Sequence, residues 1–260
     1  MLLIPLFLIK QFIYTILMNI IKVTTVNSTN TFLKQLAKEK LLKNWTVVWA
    51  EKQTSGRGQQ DNAWFSGQGD NLTFSILLNE DPIHHKHQFY LNRIISLAIL
   101  KVLQNSAIGD FTVKWPNDIM LGRKKVAGIL IENTIQKGYI VQSVIGIGIN
   151  INQEIFPPSL NNAVSLKQLT SKNYDIEMLL VKIVTAIQEL YAINSKSDVS
   201  YINDTYQKFL FNKEKVSVFQ KENYLFNGII KGVSEKGKLC LLHENENICC
   251  YNSHEIKQIL

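Results

Sequence analysis

Arginine is almost missing from this chain: of 28 basic residues only Arg57, Arg93 and Arg123 are arginines. The net charge of +7 is therefore carried by scattered lysines, with no dense basic run of the kind that forms a nucleic-acid-binding arm. Acidic small molecules or an acidic protein domain remain compatible partners. Cysteine is scarce too. Cys240, Cys249 and Cys250 are too few and too closely spaced for a zinc site, and their odd number speaks against a disulfide framework. A reducing compartment is the expectation. His84, His85 and His87 stand beside Asp81-Pro82, where a solvated loop explains them better than a metal. Internal repeats and low-complexity tracts are also lacking. What remains is an ordinary globular composition, 46% hydrophobic and 19% charged. At 260 residues it is long enough for one large domain, or for a principal domain with a small companion.

The one long apolar run is residues 1–21, interrupted by Pro5, Lys10 and Gln11. A signal peptide normally opens on positive charge and ends in small residues, and this run does neither. Its length just suffices for a membrane span, but Lys10-Gln11 falls at the centre, where charge is costly. The expectation is that translation starts at Met18, which makes residues 1–17 an upstream extension, with no membrane attachment.

Further along, Asn27 or Ser28 is placed to cap a helix in which Phe32, Leu33, Leu36 and Ala37 repeat at helical spacing. Residues 20–23, 46–50 and 72–78 read as strands, and residues 88–103 as a long amphipathic helix. Residues 139–151 form another strand run, containing Gly146 and Gly148. Glycines in a strand mark a bulge or a close approach of another group. Two helices are expected near residues 176–191 and 199–211. After residue 212 the texture changes to short strands separated by Lys-Glu-Asn and Gly turns, which predicts a small β-barrel.

Chemistry concentrates at Lys114-Trp115-Pro116-Asn117-Asp118, followed by Lys125-Val126-Ala127-Gly128-Ile129-Leu130-Ile131-Glu132. Phe111-Thr112-Val113 reads as a strand that Pro116 must end, and Asn117-Asp118 is turn chemistry. Residues 126–131 then read as the returning strand of a hairpin. A lysine at the root of that strand faces the same crevice as the turn carboxylate, which suits an anionic ligand held partly through a divalent cation. Taken alone, the pair is equally a charged hairpin over a buried tryptophan.

Those two segments resemble the catalytic signature of the biotin protein ligases. Gln53-Thr54-Ser55-Gly56-Arg57-Gly58, followed by Trp64, Ser66, Gly69 and Asn71-Leu72-Thr73-Phe74-Ser75, is similar to that family's glycine-arginine loop and the strand after it. Ser28-Thr29-Asn30 sits where the family places its first biotin contacts. The likeness covers residues 22–150 and continues more weakly to the end. It implies an α+β fold in which helices cover a mixed β-sheet, as in class II aminoacyl-tRNA synthetases and biotin ligases, with a small C-terminal SH3-like β-barrel. The divisions are then 1–17 (extension), 18–211 (catalytic) and 212–260 (barrel). Too few residues precede Ser28 for the winged helix-turn-helix of the repressor class, so a monofunctional enzyme is expected.

The implied reaction joins biotin to ATP as biotinyl-5′-AMP and transfers biotin to a lysine of a biotin carboxyl carrier protein. Both steps build charge on oxygens in a confined space, where positioned donors act best. By motif, Ser28, Thr29, Asn30, Gln53, Gln59 and Gly128 contact biotin, while Arg57 and Gly58 close over the adenylate. Lys125 holds the carboxyl and phosphate oxygens. Trp64, Asn71, Asn117, Asp118 and Asn150 belong to the nucleotide, with magnesium at Asp118. Trp64 reads equally well as a core tryptophan, and Ser28 as a plain helix cap. A cytoplasmic enzyme, monomer or homodimer, is expected. The chain departs from the family at Gln59-Gln60-Asp61-Asn62, where further arginine and glycine are usual. Phosphate retention then rests more heavily on Arg57 and Lys125. The competing readings are a lipoate-type ligase, whose glycine loop carries consecutive arginines that this chain lacks, and a non-catalytic biotin or nucleotide sensor; the Lys-Trp-Pro-Asn-Asp block points to biotin.

Overall fold

A computed structural model describes residues 18–60, 62–84, 88–106, 109–192 and 199–260. The N-terminal extension 1–17, His85, His87 and Asp61 lie outside the described residues; His84 is the last residue of a strand.

Seven strands make the main sheet: β1 (Ile20–Val26), β2 (Val47–Gln53), β3 (Leu72–His84), β4 (Phe111–Lys114), β5 (Asp118–Leu121), β6 (Lys124–Gln136) and β7 (Tyr139–Ile149). Their order is β1-β2-β3-β7-β6-β5-β4, parallel only between β1 and β2. Alternation along the strands sorts side chains onto two faces. Phe74, Ile76, Ile129, Ile145 and Ile147 point to one face and form the main core with helices α2 (Gln88–Ser106) and α4 (Ile176–Ala192). These are the helices whose apolar residues recur along nearly their whole length. The opposite face carries α1 (Thr29–Glu39), seated through Leu33 on Val48, Leu77 and Val144. Between α1 and the sheet, that face leaves room for a cavity.

The expected single hairpin is a three-stranded meander. Residues 126–131 do return along the sheet, but Ile119-Met120-Leu121 first forms a strand of its own, and Gly122, at φ 55°, turns the chain into β6. Apolar Ile119 and Met120 are fully buried there, so pairing them against β4 and β6 satisfies both burial and backbone bonding. A short helix α3 (Leu166–Thr170), capped by a Ser165–Gln168 capping box, precedes α4. The last helix, α5 (Val199–Lys208), stops earlier than the apolar pattern predicts. Its chain continues extended so that Phe211 N–H and Phe209 C=O bond Val113 of β4.

The C-terminal segment forms a second, antiparallel sheet of β8 (Val216–Lys221), β9 (Tyr224–Val233), β10 (Leu239–Leu242), β11 (Ile248–Tyr251) and β12 (Lys257–Ile259), in the order β11-β10-β9-β8-β12. Its edge strands β11 and β12 do not pair with each other, so hydrogen bonding does not close it into a barrel. One disulfide departs from what the cysteine count led to. Cys240 and Cys250 stand directly opposite each other on β10 and β11 and form a disulfide, with Cys249 left free and exposed. Counting cysteines could not foresee a pair created by strand register.

The turn after β9 locks the two sheets together. Fully buried Arg93 of α2 donates to the carbonyls of Val233 and Ser234, with its guanidinium over the rings of Phe89 and Tyr206. Burial lowers its pKa, opposed by Tyr206 and Glu235. Gln207 bonds Val233 in both directions, and Trp115 Nε1 donates to the Gly237 carbonyl at 2.9 Å. Among the described residues no helix is long and apolar enough to cross a membrane.

Candidate functional site

A cavity of 340 Å³ opens on the α1 face of the main sheet. Its floor and the loop over it exist because three glycines, two in β7 and one in the loop, make room for larger neighbours. A Cβ on Gly148 would overlap the indole of Trp64, one on Gly146 would overlap the Asn30 amide, and one on Gly56 would meet the Trp64 carbonyl. Gly148 lies opposite Gly128 of β6 and Thr73 of β3, and Gly146 opposite Leu130 and Ser75. Glycines in strand cores usually mark such close approach.

At one end, the first turn of α1 is buried and polar: Ser28, Thr29 and Asn30 are each no more than 4% exposed. Ser28 is the N-cap residue, yet its side chain makes no capping bond and lines the cavity, so capping does not account for it. Thr29 donates to Gln53 Oε1 through its backbone N–H, at 2.8 Å, and through its hydroxyl, at 3.1 Å. Ser75 Oγ sits 2.7 Å from Thr29 Oγ1 and 2.6 Å from Asn30 Oδ1. The Asn30 amide nitrogen donates to Glu132 at 2.7 Å and, at 3.3 Å, to the Leu130 carbonyl.

At the other end, Lys125 Nζ is 2.6 Å from Asp118 Oδ1. A β-bulge makes this pair possible. Ile119 pairs with Ala127 but Met120 with Lys125, so Val126 is an extra residue on β6, and Lys125 faces the cavity together with Gly128. The backbone of Lys125 is bonded to Asn162 and Val164, which fixes its root. Lys114 lines the same wall. Burial, opposed by Asp118 and reinforced by Lys125 and Lys257, holds its pKa below that of an ordinary lysine. Asn117 Nδ2 donates to the Ile129 carbonyl at 2.7 Å, which secures the turn that carries the Trp115–Pro116 cis peptide.

The loop carrying Gly56, Arg57 and Gly58 folds back on itself. Trp64 N–H donates to the Gly56 carbonyl and Gly58 N–H to the Asn62 carbonyl. Gln59, Gln60, Asn62 and Trp64 line the opening, and Lys125 Nζ lies 5.5 Å from the Trp64 ring centroid. The half-buried indole rests on the glycine floor and borders the cavity, an environment unlike that of a core tryptophan. Gln60 also donates to the Ser253 carbonyl of the C-terminal sheet, which contributes Ser253, Ile256, Lys257 and Gln258 to the rim. Together these groups offer an apolar slot, a polar end and a cationic end, a layout that can hold an elongated molecule with an anionic middle.

A sequence model of the biotin/lipoate A/B protein ligase family matches residues 22–150. Residues 22–150 belong to that family. Among its relatives, the bifunctional ligase/repressor BirA of Bacillus subtilis is 30% identical over 207 residues, covering 78% of this chain and 63% of the relative. The chain thus spans somewhat less than two thirds of that protein. The biotin--[acetyl-CoA-carboxylase] ligase of Mycobacterium tuberculosis is 24% identical over 225 residues, covering 84% of this chain and 81% of the relative. The structure of a biotin protein ligase from Aquifex aeolicus in complex with biotin and ATP superposes with a TM-score of 0.77 at 28% identity, covering 93% of this chain and 98% of that one. The architecture is therefore that of the biotin protein ligases, as the motifs implied.

Of the family positions singled out in the sequence, Ser28, Thr29, Asn30, Gln53, Arg57, Gly58, Gln59, Trp64, Asn117, Asp118, Lys125 and Gly128 all line the cavity. Asn71 and Asn150 do not. Asn71 is buried between Gln153 and the Ile151 N–H, and Asn150 donates to the carbonyls of Lys125 and Val164. Both brace the ends of strands that bear the site, and neither reaches the cavity wall. Glu132 and Ser75 ended the sequence motifs without a role assigned to them, and Lys34 was not singled out. Alternation from Gly128 through Leu130 would have put Glu132 on the cavity face, and helical spacing from Asn30 would have put Lys34 beside it. Lys257 and Ser253 carried no local signal.

Proposed function

We propose that this chain is a biotin–protein ligase. A biotin carboxylate oxygen attacks the α-phosphorus of ATP and pyrophosphate leaves. A lysine amine of a biotin carboxyl carrier domain then attacks the acyl carbon, and AMP leaves. The observation that carries this reading is the pairing of Lys125 with Asp118 at one end of a glycine-floored cavity whose other end is the neutral polar cluster of Thr29, Asn30, Gln53 and Ser75. A uncharged, hydrogen-bonding head group and a tail carboxylate match those two ends.

In this reading Ser28, Thr29, Asn30 and Gln53 bind the head group of biotin, and Gly128 leaves space for its chain. Lys125 contacts the carboxylate and then the α-phosphate, so that positive charge lies where negative charge concentrates in both steps. Arg57 and the amides around Gly58 cover the adenylate and exclude water. Trp64 and Asn117 border the nucleotide. Among the described residues Asp118 is the only carboxylate lining the cavity, which fits magnesium held chiefly by phosphates with one protein carboxylate. When bound, that ion supplies charge neutralisation on the phosphates, and Asp118 with Asn117 would hold it. The attacking amine belongs to the carrier. Residues 18–211 form the catalytic unit and 212–260 a small companion that supplies part of the rim. We assign the enzyme to the cytoplasm.

Incubation with biotin, ATP, magnesium and a biotin carrier domain, followed by intact mass measurement of both proteins, tests the reading. Addition of one biotin to the carrier, dependent on ATP, is expected. An unmodified carrier, or modification by lipoate in place of biotin, overturns it.

A further inference from the structure

Glu132 is the acid that holds the site together without lining it. Its Oε2 accepts from the Asn30 amide at 2.7 Å, and Lys34 Nζ lies 2.6 Å from its Oε1. Both oxygens accept from a single guanidinium nitrogen of Arg57, Nη2, at 3.0 and 2.8 Å. Its side chain is 21% exposed, against 47% for that of Arg57. Burial raises the pKa of this carboxyl, but hydrogen bonds from Lys34 and Asn30 and the charges of Lys34 and Arg57 outweigh it and leave the pKa below the ordinary value. An anion at neutral pH, it joins three parts of the chain: the first turns of α1, strand β6 and the glycine-arginine loop.

The geometry of the Arg57 contact is informative. A guanidinium pinned to serve only a salt bridge would present two nitrogens to the carboxylate as a fork. Here one terminal nitrogen spans both oxygens, so the N–H groups of Nε and Nη1 are not used by Glu132 and remain for other acceptors. Arg57 itself lines the cavity. Asn30 is held similarly: its nitrogen is committed to Glu132 and Leu130, which orients the amide toward Ser75.

Building on the ligase reading, we propose that Glu132 is a positioning residue: it tethers Arg57 and Asn30 at once, so that the loop closing over the adenylate and the polar end gripping biotin are set by one carboxylate. Arg57 keeps its tether through Nη2 while its remaining N–H groups meet the ligand, and the loop closes without reorganising the floor.

Glu132→Gln removes the charge and keeps the shape. Single-turnover labelling of the carrier domain should slow about 30-fold, the scale of one charge-assisted bond, but by clearly less in an Arg57→Ala background, where only the route through Asn30 remains. Trypsin cleavage of the free enzyme at Arg57–Gly58, followed by mass, should accelerate in Glu132→Gln. Glu132→Asp, which keeps the charge beside Lys34, should retain most of the protection. Equal losses of rate in the two backgrounds, unchanged trypsin cleavage, or matching behaviour of the Gln and Asp variants would each overturn the tether. A wild-type enzyme that fails to label the carrier refutes the ligase reading instead, and the trypsin comparison still decides the role of Glu132.

Discussion

A methyl group on Gly148 would enter the space of the Trp64 indole, lying 2.5 Å from its Cζ2 and 2.6 Å from its Nε1. Carbon atoms in contact prefer about 3.5 Å, so one partner must retreat by roughly 1 Å. Gly148 cannot. Its strand is paired on both sides, to Thr73 on β3 and Gly128 on β6, in the middle of the sheet. Trp64 belongs to the loop and can move. Gly148→Ala should therefore keep the fold, lowering stability by about 1–3 kcal/mol, as overpacking does. At roughly 2–4 °C per kcal/mol for a protein of this size, the melting temperature falls by several degrees. The larger effect falls on chemistry, because Trp64 is bonded to Gly56 and stands under Lys125. A displacement near 1 Å in a reacting geometry costs about 10²-fold in rate. Single-turnover labelling of the carrier with thermal melting measures both. The reasoning also requires that Trp64→Leu relieve the clash, so that adding Gly148→Ala to it costs less stability than in wild type. Additive losses, or a Gly148→Ala enzyme within about threefold of wild-type rate, would refute it.

Lys125→Ala should slow transfer by about 10²–10³-fold, since it deletes a cation aimed at developing charge. The melting temperature should hardly change, because a part-exposed ion pair contributes about 0–1 kcal/mol; a melting loss as large as the kinetic one would mean the lysine is structural. Arg93→Ala removes a packed side chain and two bonds to the Val233–Ser234 turn, and should cost about 2–5 kcal/mol in urea unfolding. By contrast the buried Tyr206 hydroxyl has no hydrogen-bond partner among the described residues, so Tyr206→Phe should leave stability level or raise it by up to about 1 kcal/mol. Gln59→Arg adds a guanidinium at the mouth of the cavity and should slow escape of the acyl-adenylate about tenfold, the equivalent of one modest charged contact; identical off-rates in wild type and variant would dismiss that role.

Much of the fold was legible because apolar periodicity reports which face is buried. The strands around Ile76 and Ile147 and the helix through Ile94 and Ile95 follow directly from it. Legibility failed where a neighbour decided the outcome. The extra strand β5 arises because Gly122 can turn at positive φ. The Cys240–Cys250 bond depends on the pairing of β10 with β11, and the early end of α5 on an open edge at β4. Within the site, Asn71 and Asn150 match the family motif but are drawn into buried hydrogen bonds away from the cavity.

The residue types of the site were settled by the sequence alone: a lysine seven positions beyond an aspartate, an arginine between glycines, a Ser-Thr-Asn turn opening a helix, and glycines alternating in a strand. Chemistry of that kind is carried by side-chain identity, so it can be read without coordinates. Orientation cannot. Strict alternation from Gly128 turns Lys125 away from the cavity, and the bulge at Val126 turns it back toward Asp118. Seventy-five positions separate Arg57 from Glu132, and the tether between them exists only because the loop folds over β6. The C-terminal rim, from Ser253 to Gln258, has no motif at all. It reaches the site because Arg93, Gln207 and Trp115 fix the turn after β9 against the main sheet. Long-range closure of this sort is decided by packing, which no local pattern records.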